Sequence, residues 1–169
     1  FTIGSNALFN TNTNSYIAWL WKEDPTAGFD IVTYTGTGAN RTIAHSLSAT
    51  PTMMIVKRTN TTGNWAVYHQ NFTSPAADQY LSLNSTAAET IDSTYWNSTS
   101  PTASVFSLGT AVDVNANGGS YIAYLFRDIA GYSKFGTYTG NGAADGPFVY
   151  TGFKPRYVMI KRTDTAADW

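Results

Sequence analysis

Cysteine is missing from this chain, charge is scarce, and no hydrophobic run is long. With no cysteine there can be no disulfide staple, no thiolate metal site and no cysteine nucleophile. Charged residues make up only 12 % of the 169, and ten Lys/Arg against eleven Asp/Glu leave a net charge of −1. No basic stripe is available to neutralise a run of phosphates, so no nucleic-acid partner is expected. The longest apolar runs, such as residues 16–21, are far too short for a membrane-spanning helix, and no membrane insertion is expected. The chain opens on Phe1 rather than Met, which reads as a processed or partial product. Apolar residues at a 3.6-residue period between helix caps are absent as well.

What is present is a large apolar content, 43 % hydrophobic and 15 % aromatic, set in a neutral polar background of Thr, Asn, Ser and Gly. A disordered chain shows the reverse balance. The chain therefore folds, with a surface built from hydroxyls and amides.

The sequence also repeats. Residues 1–21, FTIGSNALFNTNTNSYIAWLW, match residues 106–126, FSLGTAVDVNANGGSYIAYLF, at an offset of 105. TYTGTGA at 33–39 matches TYTGNGA at 137–143 at an offset of 104. The match continues through Pro51 and Pro155, 54–59 and 158–163, and Trp65 and Trp169. The slipped residue falls in a turn, where length changes cost little. A period of about a hundred residues is too long for a solenoid element and has the size of a domain. The chain reads as about 1.6 units, from 169 residues against that spacing. Residues 1–23 are framed as the C-terminal strands of one unit, 30–127 as a complete unit, and 132–169 as the N-terminal part of the next.

β-branched and aromatic residues dominate the short apolar runs, and Gly, Asn, Thr and Pro punctuate them. Strands are expected at 1–4, 15–21, 30–35, 41–46, 52–59, 65–69, 80–84, 103–108, 120–127, 134–139, 147–151 and 156–163. Residues 85–102 read as loop with one short strand or turn. Tyr16–Trp21 is apolar on both faces and is expected to be a central strand. Glycines in TGTG at 35–38, TGNG at 139–142 and Asn117-Gly118-Gly119 suit hairpin turns, not phosphate loops, because no G-x-G-x-x-G or GK[ST] spacing occurs. Seven to eight strands per unit give the expected fold: all-β, antiparallel β-sandwich units of jelly-roll type, about 100 residues each, in tandem. The first and last strands of the unit are expected to be neighbours, and an unpaired sheet edge is expected beyond Trp169.

Candidate chemistry is sparse. The eleven acidic residues are scattered and no local pair suggests a glycosidase. His45 and His69 lack the spacing of metal ligands. Asp113-x-Asn115-x-Asn117 could offer oxygen ligands to calcium, but it lacks the glycine and distal glutamate of an EF-hand, and a plain turn fits it better. No catalytic residue, metal or cofactor is expected. Lys-Arg-Thr recurs at 57–59 and 161–163, each time six residues ahead of a Trp. An Arg stacked on that Trp across a hairpin explains the recurrence structurally. The same types could form a sugar-binding patch, for which Arg58, Trp65, Tyr68 and Trp96 are the candidate contacts.

The runs SYIAYLFRDIAGYSKFGTYTGNGAADGPFVYTGFKPRYVMIKRTDTAADW and AWLWKEDPTAGFDIVTYTGTGANRTIAHSLSATPTMMIVKRTNTTGNWAVYH resemble a repeat domain of unknown function. It is found in tail-fibre-like structural proteins of tailed bacteriophages, notably marine ones. Such domains often stand beside concanavalin- or laminin-G-like lectin sandwiches. The resemblance implies a non-enzymatic virion structural module on the virion surface, contributing to host attachment. Its implied partners are further copies of itself, a trimer if it builds a fibre, and a host cell-surface glycan or protein. The alternative is a carbohydrate-binding module, and a glycan depolymerase is the remaining reading.

Overall fold

Strand formation follows the alternation of apolar and polar residues between turns. The structure, a computed structural model, describes residues 2–73 and 75–169. Among the described residues eight strands form: β1 (Phe29–Thr35), β2 (Arg41–Ala44), β3 (Met53–Arg58), β4 (Trp65–His69), β5 (Gln79–Ser82), β6 (Thr90–Ile91), β7 (Val105–Leu108) and β8 (Ser120–Phe126). Two one-turn helices, α1 (Ala7–Asn10) and α2 (Val112–Asn115), precede the segment 15–21 and β8 respectively.

The strands make two antiparallel sheets. One has six strands in the order β1-β8-β3-β4-β5-β6, and the other pairs β2 with β7. The fold is thus an all-β sandwich. β8 lies between β1 and β3, with Tyr124 opposite both Ile31 and Ile55. The first and last strands are therefore direct partners. Gly28 makes their junction possible: its φ is +73°, and a Cβ there would stand 2.8 Å from the Arg127 carbonyl oxygen and 2.7 Å from the Ile129 side chain.

Each strand presents alternate residues to two faces. On the inner face, Met54, Val56, Ala66, Tyr68, Tyr121, Ala123 and Leu125 cluster with Ile43, Phe106 and Leu108 of the smaller sheet. Leu47, Val114, Tyr95 and Trp96 complete that core from the loops. Asp30, buried, ties β1 to the chain after β2 by accepting from the Ser46 N–H at 2.6 Å and the Ser46 hydroxyl at 2.9 Å. On the outer face Met53, Val67, Phe72 and Leu81 form a second cluster. Phe135 and Trp169 of the C-terminal segment pack on it, and the Trp169 indole N–H donates to the Ser82 carbonyl at 3.1 Å.

The expected strands between 30 and 127 form, each shifted at its ends by no more than a few residues. The flanking ones do not. Segments 15–21, 134–139, 147–151 and 156–163 carry no strand, and neither do residues 2–4; Phe1 of the expected strand 1–4 lies outside the described residues. The reason is physical: an extended segment becomes a strand by pairing, and these segments have no ladder partner in place. Tyr16–Trp21, expected to be central, is exposed throughout. In residues 85–102, β6 is the one short strand, and the chain after it turns inward and buries Tyr95 and Trp96.

Candidate functional site

The β3–β4 hairpin builds an open groove on the outer face. Lys57 and Trp65 are cross-strand partners at its mouth, and Ile122 of β8 lies opposite Lys57 on the other side. Their side chains, with Tyr124, lie on the outer face. The Trp65 and Tyr124 rings are nearly parallel, 13° apart in plane with centroids 6.5 Å apart. The Lys57 ammonium sits 6.0 Å from the Trp65 ring centroid and donates to the Gly63 carbonyl at 3.0 Å. These residues, with Arg58 and the hairpin residues 59–62, line an open groove of about 690 Å³.

The hairpin is held from outside. Asp113 accepts from the Asn64 N–H at 3.1 Å and its side-chain amide at 3.3 Å, and from the Tyr95 hydroxyl at 3.1 Å. Asn84 accepts from the Trp65 N–H at 2.9 Å and donates to the Asn64 side-chain oxygen at 3.2 Å. The Trp65 backbone is thereby held by the neutral Asn84 side chain, and the hairpin beside it by the Asp113 carboxylate. The groove offers an indole, a phenol, an ammonium and several hydroxyls, and no carboxylate lines it. Such a set can stack on and hydrogen-bond a polyhydroxylated ligand.

The four candidate sugar contacts divide. Trp65 and Arg58 are half-buried at the groove. Tyr68 and Trp96 are not surface residues: they are 2 % and 1 % exposed. Trp96 meets Tyr68 edge-on at 5.8 Å, and its indole N–H donates to the Gln79 carbonyl at 2.9 Å. Reaching either from solvent would mean opening the core. The expected Arg–Trp stack is also corrected. Alternation puts Lys57, not Arg58, opposite Trp65; Arg58 lies opposite Tyr121 on the other face and donates to the Asn60 side-chain oxygen at 2.9 Å. Tyr124 belongs to the groove and sequence reasoning missed it; the signal was its parity with Ile122 in SYIAYLF.

In the Asp113-x-Asn115-x-Asn117 turn, the side-chain oxygens of Asp113 and Asn115 are engaged within the fold. Asn115 is fully buried, accepts from the Thr37 N–H at 2.9 Å, and donates to the carbonyls of Ala39 at 2.8 Å and Gly109 at 2.7 Å. It is a clamp between the TGTG turn and α2. Asp113 is spent on the hairpin. Among the described residues, no group of three or more His, Asp or Glu could hold a metal ion.

The titratable groups are structural in their surroundings. Burial lowers the pKa of both His45 and His69. His45 Nδ1 faces the Leu47 N–H and His69 Nδ1 the Asn71 N–H, which suits neutral imidazoles. Burial raises Tyr34 and Tyr95 well above the ordinary tyrosine range. A smaller groove of about 310 Å³ beside β1 holds Asp24, whose carboxyl the Lys22 ammonium and then Thr26 keep well below the usual range. Lys22 and Asp24 are 2.6 Å apart. No helix among the described residues is long and apolar enough to cross a membrane.

A family described as a domain of unknown function, DUF7483, matches residues 1–169, and the chain belongs to it. No curated protein and no solved structure matches the chain.

Proposed function

We propose that this member of DUF7483 is a non-enzymatic structural module of a bacteriophage virion appendage. It presents a neutral β surface for host attachment and assembles with copies of itself. The observation that carries the reading is the repeated sequence unit, whose polar side chains are spent on holding loops in place. Asp30, Asn64, Asn84, Asp113 and Asn115 each clamp one segment to another. A surface of hydroxyls and amides owes little of its stability to screened charge, which suits a particle exposed to salt water. The resemblance to repeat domains of tail-fibre-like proteins supports the same reading. A gold-labelled antibody raised against the chain should decorate an appendage of intact virions carrying its gene. Labelling confined to infected cells, with bare virions, contradicts the proposal.

The hairpin groove favours a second, compatible reading: carbohydrate binding at the attachment surface. Its specific support is the pairing of Trp65 with Tyr124 beside Lys57 and Arg58. The apolar face of a sugar ring packs on an aromatic ring while its hydroxyls take donors from the rim. On a glycan array the chain should bind at least one glycan class, and Trp65→Ala should lower that signal about tenfold or more, roughly 1.4 kcal/mol. Binding unchanged by Trp65→Ala, or no binding at all, counts against this groove as a lectin site.

A further inference from the structure

The β3–β4 groove carries positive charge with no acid to balance it. Lys57 lines it, Arg58 follows, and no Asp or Glu occurs from Thr59 to Trp65. Among the described residues the ion pairs are Lys22–Asp24, Lys134–Asp128 and Arg162–Asp164, and Lys57 is in none of them. The Lys57 ammonium is nevertheless held in place. It donates to the Gly63 carbonyl at 3.0 Å and stands 6.0 Å from the Trp65 ring centroid. That bond uses one of its N–H donors and leaves the others. Asp113, the acid that anchors the hairpin, is taken up by Asn64 and the Tyr95 hydroxyl.

The internal repeat supplies a comparison. Trp65 and Lys57 have the sequence equivalents Trp169 and Lys161. The turn between them differs: Asp164 and Asp168 stand at the positions of Asn60 and Asn64. Arg162 pairs with Asp164 at 2.7 Å, whereas Arg58 donates to the neutral Asn60 oxygen at 2.9 Å. Residues 161–169 thus hold two cations and two acids, and residues 57–65 hold two cations and no acid. A hairpin that needed only a Lys beside a Trp could carry either turn. The acid-free turn leaves the Lys57 charge available to a ligand.

We propose that this groove takes an acidic polysaccharide, a polymer whose sugar rings carry carboxylate or sulfate groups. The proposal rests on the carbohydrate reading of the groove and names the class of glycan. A sugar ring packs on Trp65 and Tyr124, and its acidic substituent accepts from the Lys57 ammonium. A hydrogen bond between two charged partners is stronger than one between neutral ones. An ammonium already held by Gly63 loses little freedom when the ligand arrives. No carboxylate in the lining repels the anion. A neutral glycan keeps the aromatic contact, lacks the charged one, and binds more weakly.

Binding of the full chain to immobilised alginate, a uronate polymer, to dextran sulfate and to unmodified dextran tests this. At least one acidic polymer should bind about tenfold more tightly than dextran, the size expected of one charge-assisted hydrogen bond. The two acidic arms separate carboxylate from sulfate. Lys57→Gln should remove most of the preference. Asn60→Asp, which installs the acid of the other copy, should do the same, and Lys57→Arg, which keeps the charge, should retain it. Lys154→Gln, at an exposed lysine outside the groove, should change nothing. Circular dichroism checks that each variant keeps its β content. Equal binding to acidic and neutral polymers, lowered by Trp65→Ala but not by Lys57→Gln, overturns the proposal and leaves the carbohydrate reading standing. Equal losses in Lys57→Gln and Lys154→Gln mark diffuse attraction to the whole surface and overturn it too. Binding to none of the three polymers also overturns it, and the glycan array then decides the broader reading by itself.

Discussion

At the scale of single residues, the polar side chains here mostly fix geometry. Trp96 shows why the candidate contacts were only partly legible. Its neighbours, Asn97, Ser98, Thr99 and Ser100, are all polar, so the local sequence reads as a surface loop. The residue is instead the largest fully buried side chain, its N–H satisfied by Gln79. Nothing within a few residues of Trp96 encodes that long-range hydrogen bond. Trp65, by contrast, is placed by simple alternation in a strand whose ends were readable. The histidines give the residue-scale prediction. Burial lowers both in the folded state. The unfolded chain therefore binds protons first as pH falls below about 6.5, and stability drops. The thermal midpoint, followed by circular dichroism from pH 7.5 to pH 5.5, should decline, with the decline setting in below about pH 6.5. Replacing both histidines by Asn should flatten the profile. A midpoint that rises as pH falls contradicts the assignment of neutral, half-buried imidazoles.

At the scale of elements, identical motifs behave differently according to their partners. Alternation and turn residues made β1, β3, β4 and β8 legible, because each carries apolar residues on a fixed parity between Gly- or Asn-containing turns. The same reasoning placed strands at 15–21 and 156–163, where none forms. Sequence pattern reports the capacity to pair, and pairing itself depends on what stands alongside. Asn115 and Asn10 isolate this effect. Both hold the same carbonyl in their own turn, but only Asn115 also clamps residues 37 and 39. Asn115→Ala leaves buried partners unsatisfied and should cost about 2–4 kcal/mol in denaturant unfolding. Asn10→Ala, in the exposed copy, should stay within about 0.5 kcal/mol for the dilute chain. Equal costs at the two positions mean that the N-terminal copy is already packed, contrary to its exposure.

At the scale of the whole molecule, a closed sandwich spans β1 to β8, with both flanks leaving it at one corner. There Arg127 donates to the Pro25 carbonyl at 2.7 Å and the Arg127 N–H to Gly28 at 3.0 Å. The first strand of that sandwich pairs directly with its last. Cooperative β structure resides in residues 29–126, while 15–21, 134–139 and 156–162 carry strand patterns without ladder partners. Hydrogen exchange read by mass spectrometry on dilute protein tests this most directly. Backbone amides of β1, β3 and β8 should exchange slowly, with the free energy of global unfolding, and those of 15–21, 134–139 and 156–162 within seconds to minutes. Protection of the flanking segments equal to that of β8 in dilute solution would contradict the account.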